Sequence, residues 1–260
     1  MPTLLFKGRI HPAASQMYAI NLPVVDFHEP PYPPKLPAGL DIKFTISISK
    51  SQMVLTCEIK QWTPDLLSWV HNRVHMTAYS VIDLFSFASG TPHEFIIDTV
   101  TFPDGSEKSL VIHNPNLASL CTFAAPKDGK MNLGDSLGVM LQNPNVYQCM
   151  RDLIRGVAQP NSAVIDCARA IEGIRYSFDP NPSKRGSGWG KMQTALNVEQ
   201  SYREYITNTS TNPRHGDKSF IPGDTVEEVT RRSWEIMNRF MEYMLRGKQQ
   251  LPLSEFRLLK

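Results

Sequence analysis

The sequence predicts an α+β fold with a strand-rich N-terminal domain, residues 1–125, and an antiparallel helical bundle, residues 126–260. Three observations predict it. Alternating apolar residues dominate the first sixty positions, three- and four-residue apolar steps dominate after position 140, and a loop-rich stretch at 124–135 separates the two regimes. A chain of 260 residues is long enough to bury two modest cores.

The first strand signal is Leu4-Leu5-Phe6. Ile42, Phe44, Ile46 and Ile48 then alternate with polar residues, and Met53 to Ile59 continues the pattern after a turn at Ser49-Lys50-Ser51. Pro23, Pro30, Pro31, Pro33, Pro34 and Pro37 crowd the intervening stretch. Without amide donors they are excluded from a central strand, so this segment reads as a surface connection. Thr63-Pro64-Asp65 opens a helix with a cap, an N1 proline and a first-turn acid. Leu67, Val70, Val74, Ala78, Val81 and Phe85 give it one apolar face, and Gly90 stops it. Residues 94–102 and 110–112 then read as a hairpin around Pro103-Asp104-Gly105.

In the second half, helices are predicted over 146–157, 162–178 and 192–207. A last helix begins at a capping box, Thr225-Val226-Glu227-Glu228, and ends at Gly247. The second helix places Asp166, Arg169, Glu172 and Tyr176 on a polar stripe beside its apolar face. Met237, Phe240, Met241, Tyr243 and Met244 crowd the last helix with more apolar surface than one stripe needs. That excess predicts a homodimer through the helical half.

The net charge of +2 is uneven: 17 basic against 13 acidic residues from position 140 onward, and 10 against 12 before it. A mild polyanion attraction of the second half is permitted. No run approaches the ~20 apolar residues that span a bilayer. The start lacks a signal-peptide pattern, and Cys57, Cys121, Cys149 and Cys167 form no CxxC pair. A cytoplasmic protein with reduced core thiols and no membrane partner is expected. His71 and His75 have metal-ligand spacing on a helix, but no third ligand or intervening glutamate accompanies them. No metal or other cofactor is expected.

The segment from Asn208 to Asp217 reads as a polar loop holding Arg214 and His215. A guanidinium holds phosphate through paired hydrogen bonds, and an imidazole exchanges protons near neutral pH. The same composition also suits a turn that only caps helices. Glu172 is placed to orient either group or to pair with a nearby arginine. Lys184, Arg185, Trp189 and Lys191 lie in a second, glycine-rich stretch that fails the Walker A pattern. It reads as a flexible loop able to touch an RNA backbone and stack a base, or as a plain helix connection.

Helix order, Glu172 within Ala170-Ile171-Glu172-Gly173-Ile174, and the segment ending Arg214-His215-Gly216 resemble the HEPN superfamily over about residues 135–247. The resemblance implies a dimerising helical bundle and a metal-independent endoribonuclease with His215, Arg214 and Glu172 as catalytic residues, leaving a cyclic phosphate. Family catalysis rests on an arginine followed by a polar residue and, a few positions later, histidine. Here Asn208, Thr209 and Ser210 stand seven, six and five before His215, and Arg214 directly precedes it. The alternative is a non-catalytic dimerisation or interaction module of a prokaryotic regulatory or defence system. The opening Phe6 to Pro12 resembles that of other prokaryotic proteins and implies no activity. On the active reading the N-terminal domain selects substrate, senses a signal or contacts a protein partner.

Overall fold

The structure, a computed structural model, describes residues 1–12, 20–28, 41–110, 114–124, 133–159, 162–181, 185–216 and 221–260; side chains at 20–28, 41 and 185 are not described. It is α+β, and it divides into two compact units, Met1–Val111 and Ile112–Lys260. The division falls ahead of the expected position near 125. Residues 114–124 belong to the helical unit because their polar groups are bound there: the Thr122 amide donates to Asn238 Oδ1 at 2.8 Å, and Trp234 Nε1 donates to Cys121 Sγ at 3.1 Å.

The first unit is an antiparallel sheet with one long helix. Its strands are β1 Thr3–His11, β2 Ile20–His28, β3 Asp41–Ser49, β4 Gln52–Ile59, β5 Glu94–Thr101 and β6 Glu107–Ser109, in the order β2-β3-β4-β1-β5-β6. Alternation puts one face of each strand inward. Ile46, Leu55, Phe6 and Val100 pair in one row across β3, β4, β1 and β5, and all are buried. Lys50 and Ser51 both have positive φ, the backbone of a two-residue type I′ hairpin between β3 and β4.

Two findings correct the sequence reading of this unit. Pro23 lies in β2, a strand rather than a connection. It is tolerated because β2 is an edge strand whose pairing with β3 shifts register between Leu22 and Val25. The remaining prolines of that stretch lie outside the described residues. The β1–β5 pairing also shifts, between Lys7 and Gly8, leaving Asp98 as the extra residue on β5. Arg9 holds Asp98 through two hydrogen bonds of 2.8 and 2.7 Å. A Cβ at Gly8 would lie 2.4 Å from the Ile96 carbonyl oxygen, so only glycine lets the strands close there.

The helix α1, Leu67–Ser89, follows a single 3-10 turn at Pro64–Leu66. Val70, Val74, Ala78 and Ile82 form its fully buried line against the sheet, and Gly90 ends it at φ +67°. His71 and His75 are half-buried on its flank, with the His75 ring tilted against that of Tyr79, centroids 4.5 Å apart. Burial, and secondarily the neighbouring His71, lowers the His75 pKa to about 4.

The second unit contains α2 Pro115–Ser119, α3 Gly134–Gln142, α4 Pro144–Ala158, α5 Ala163–Phe178, α6 Arg185–Leu196, α7 Gln200–Thr209, α8 Thr211–Arg214 and α9 Gly223–Leu245. The predicted helix at 192–207 is therefore two helices, broken where Asn197 adopts φ +53°. α9 starts ahead of the expected capping box, with Pro222 at the cap and Thr225 inside the first turn. Met237, Phe240 and Met241 are buried in this unit's own core, and Tyr243 and Met244 pack against it. The apolar excess of α9 is thus used inside the domain.

Beyond α9 the chain turns at Gly247, φ +69°, and folds back over the α6–α7 break. Leu251, Phe256 and Leu259 are buried there. Asn197 Nδ2 donates to the carbonyls of Leu251 and Phe256 at 2.8 and 3.0 Å. Arg239 Nη1 donates to Leu196 O and Asn197 O at 2.9 and 2.8 Å, and its Nη2 to Arg257 O at 2.5 Å. Sequence periodicity gave this tail no role.

All four cysteines are thiols. Burial raises Cys57 and Cys149 to about 12 and Cys167 to about 11. Cys121 is half-buried beside Trp234 rather than in the core.

Candidate functional site

Glu172 stands on α5 between two tightly packed neighbours. Ile171 is fully buried, and a Cβ at Gly173 would meet Cys149 Sγ at 2.5 Å, so α4 closes directly onto α5 there. Asn145 on α4 strengthens that closure by donating to the Gly173 carbonyl at 2.7 Å and to Ser177 Oγ at 2.6 Å. The backbone that carries Glu172 is therefore packed and hydrogen-bonded directly against α4.

The predicted polar loop is largely helical. Asn208 and Thr209 finish α7, and residues 211–214 form α8. Thr209, Ser210 and Thr211 turn their hydroxyls back to the carbonyls of Tyr205, Thr207 and Thr207, at 2.7, 2.8 and 3.1 Å. The Ser210 and Thr211 bonds satisfy the orphan Thr207 carbonyl of the α7 terminus, the Thr209 bond is an i−4 back-bond, and together they explain the run of hydroxyl residues without any ligand. Gly216, at φ +91°, ends the turn; Asp217 lies outside the described residues.

This geometry brings two of the three predicted catalytic residues together. Arg214 Nη1 donates to Glu172 Oε1 at 2.7 Å, and each side chain is 27% exposed. The contact joins α5 to α8 across 42 positions of sequence. His215, next to Arg214, is exposed, and its side chain makes no hydrogen bond or ion pair among the described residues. It is not drawn into the Glu172 pair.

The predicted RNA-binding loop is a helix, which corrects the reading of 184–192. Lys184 lies outside the described residues, as does the side chain of Arg185, which begins α6. Glycine disfavours a helix locally, but here tertiary packing prevails: a Cβ at Gly188 would sit 2.9 Å from Arg175 Cδ, so glycine lets α6 approach α5. Trp189 is half-buried, with Arg203 4.6 Å from its ring centroid and Arg175 at 6.0 Å. Lys191 donates to Asp179 Oδ2 at 2.9 Å. That bond, with the Asn181 amide and Ser187, lowers the Asp179 pKa. Trp189 and Lys191 thus serve the α5–α6 contact.

Asp166, expected on a polar stripe, is buried; it accepts from Ser162 Oγ at 2.8 Å and from Arg155. A small apolar cavity in the helical unit, about 70 Å³, is lined by Cys121, Met150, Trp234 and neighbours, and none of the predicted site residues lines it. Among the described residues no group of three or more His, Cys, Asp or Glu could hold a metal ion, and no helix is long and apolar enough to cross a membrane.

Two family models match the chain. The Domain of unknown function (DUF8168) N-terminal domain covers residues 4–111, and the DUF8168 C-terminal domain covers 134–245. The chain matches DUF8168 in both halves. The edges of the two matches agree with the structural division: the first ends at Val111, and the second begins with α3 and ends with α9. No curated protein and no solved structure matches it. The candidate residues Glu172, Arg214 and His215 all fall within the DUF8168 C-terminal match.

Proposed function

We propose that the helical half binds RNA at the α5–α8 surface and cleaves it without a metal ion. The supporting observation is the 2.7 Å pair between Glu172 and Arg214 beside an exposed His215. A guanidinium has five N–H donors in a fork, and the Glu172 bond engages one nitrogen. The rest of that fork can hold two non-bridging phosphate oxygens. His215 takes the proton of the RNA 2′-hydroxyl as that oxygen attacks phosphorus. The 5′-oxygen leaves with a proton from solvent, and a 2′,3′-cyclic phosphate remains. Arg214 offsets the charge that gathers on the phosphoryl oxygens. The HEPN resemblance supplies this chemistry, and the pair supplies an arginine oriented to perform it.

Incubation of the purified chain with mixed RNAs in chelator, scored for cyclic-phosphate ends, tests the reading. His215→Ala should lower the rate by about 100-fold or more. An unchanged rate in that variant would remove His215 from catalysis. RNA retained but never cleaved by the wild type would leave a binding surface only.

A second reading, an interaction module, has its own support. Leu137 and Leu141 on α3, 55% and 75% exposed, lie one helical turn apart, and Tyr147 and Ile154 on α4 are also exposed. Self-association of the helical half through these residues predicts a dimer by light scattering at micromolar concentration. Leu141→Lys should dissociate it; a wild-type monomer refutes this reading.

A further inference from the structure

On the same polar stripe of α5, one turn beyond Glu172, stands an aromatic residue that the fold braces but does not bury. Tyr176 is 50% exposed. The Arg175 guanidinium carbon lies 5.9 Å from the Tyr176 ring centroid and 6.0 Å from that of Trp189, and Arg203 approaches Trp189 from α7 at 4.6 Å. Rings and guanidiniums therefore alternate from α7 through α6 to α5, each contact a cation–π interaction that resists rotation of its members. Gly188 makes room for the Arg175 stem, and Arg175 Nη1 also donates to the Asp179 carbonyl at 3.3 Å. Tyr176 is the exposed end of this ladder.

Its position relative to the Arg214 pair is set by helix geometry. Residues at i and i+4 are neighbours, about 5–6 Å apart at Cβ, and Cα–Cβ bonds tilt toward the helix N-terminus. Tyr176 therefore leans toward the turn that carries Glu172, whose carboxylate holds Arg214. An exposed ring one helical turn from the residue that holds the Arg214 guanidinium matches the two halves of a nucleotide, base and phosphate.

We propose that Tyr176, braced by Arg175, is a nucleobase platform beside the Arg214 phosphate site, and that the ligand is an unpaired nucleotide of single-stranded RNA. The inference rests on the reading of the α5–α8 surface as an RNA site and adds what that reading lacks, a source of preference for unpaired strands. Bases within a duplex already stack on each other and cannot lie on a side chain. A ring takes any base by its face, so the platform selects single strands without selecting sequence.

Binding of two fluorescein-labelled hexamers to the full chain in chelator separates base from phosphate: 2′-O-methyl oligouridylate, which cannot be cleaved, and an abasic backbone of the same length. The wild type should bind oligouridylate more tightly. Tyr176→Ala should weaken oligouridylate by roughly tenfold, the value of one stacked base, and leave the abasic hexamer unchanged. Tyr176→Phe should retain wild-type binding, and Arg214→Ala should weaken both hexamers. Equal binding of the two hexamers by the wild type, with both weakened by Arg214→Ala, overturns the platform and leaves the phosphate site standing. Equal loss of both hexamers in Tyr176→Ala overturns it as well. Binding of neither hexamer by the wild type overturns both the platform and the RNA site.

Discussion

Replacing Arg239 by Met should unfasten the C-terminal tail and cost about 3–5 kcal/mol. The Arg239 side chain is buried within α9, and its guanidinium makes three bonds to backbone carbonyls, at Leu196, Asn197 and Arg257. Burial lowers its pKa, yet an arginine stays charged in a folded protein, so these are charge-assisted bonds of roughly 1.5–3 kcal/mol each. Methionine restores most of the volume but no donor. The carbonyls cannot be removed with the arginine, so each keeps its desolvation cost, which prevents the near-neutral outcome seen when both partners of a buried pair are exchanged. The chain's gain from relieving a buried charge offsets part of the loss, which sets the range. Urea unfolding of wild type and Arg239→Met, followed by Trp fluorescence, gives the stability difference. Hydrogen exchange at Leu251 and Leu259, whose amides bind Ala195 and Asn197, reports the tail itself. A difference under about 1 kcal/mol with unchanged exchange at those amides would refute the argument that buried carbonyls are satisfied by this side chain.

Glu172→Gln keeps an acceptor for Arg214 but removes the competing negative charge, so RNA binding in low salt should tighten by about 2- to 10-fold, with the gain shrinking as salt rises. Weaker binding in anisotropy measurements would show that Glu172 only positions the guanidinium. Gly8→Ala should destabilise the first unit by about 1–3 kcal/mol, since its Cβ meets backbone at Ile96 and the Phe95 ring and neither can give way freely; denaturation followed at Trp62 or Trp69 checks it. The lowered His75 pKa means that the unfolded chain binds the extra proton first as pH falls. Stability of the first unit should therefore decline from about pH 6.5 and level off near pH 4, and His75→Phe should remove that part of the acid loss. A pH–stability curve identical in the variant would exclude His75 as the cause.

Periodicity alone determined the α+β class and most of the elements that build it. The apolar line Val70, Val74, Ala78 and the alternation Ile42 to Ile48 could be read because each obeys the repeat of its own backbone and faces one core. Gly90 and Gly247 marked helix ends for an equally local reason, a positive φ that glycine adopts without strain. Sequence also named Glu172 and Arg214, by residue type and by resemblance.

Only the tertiary structure decided that they meet. Their contact depends on α4 closing against Gly173 and on hydroxyls of residues 209–211 folding back onto α7, and neither effect has a period in the sequence. The same holds for the glycine-rich stretch 185–190, helical because α6 packs at Gly188, and for Pro23, a strand residue because β2 is an edge. The tail after Gly247 was illegible because one buried arginine and one asparagine hold it by side chains donating to distant carbonyls. Local propensity is worth tenths of a kcal/mol per residue, and such packing and buried hydrogen bonds are each worth more, so where the two disagree the long-range contact sets the structure.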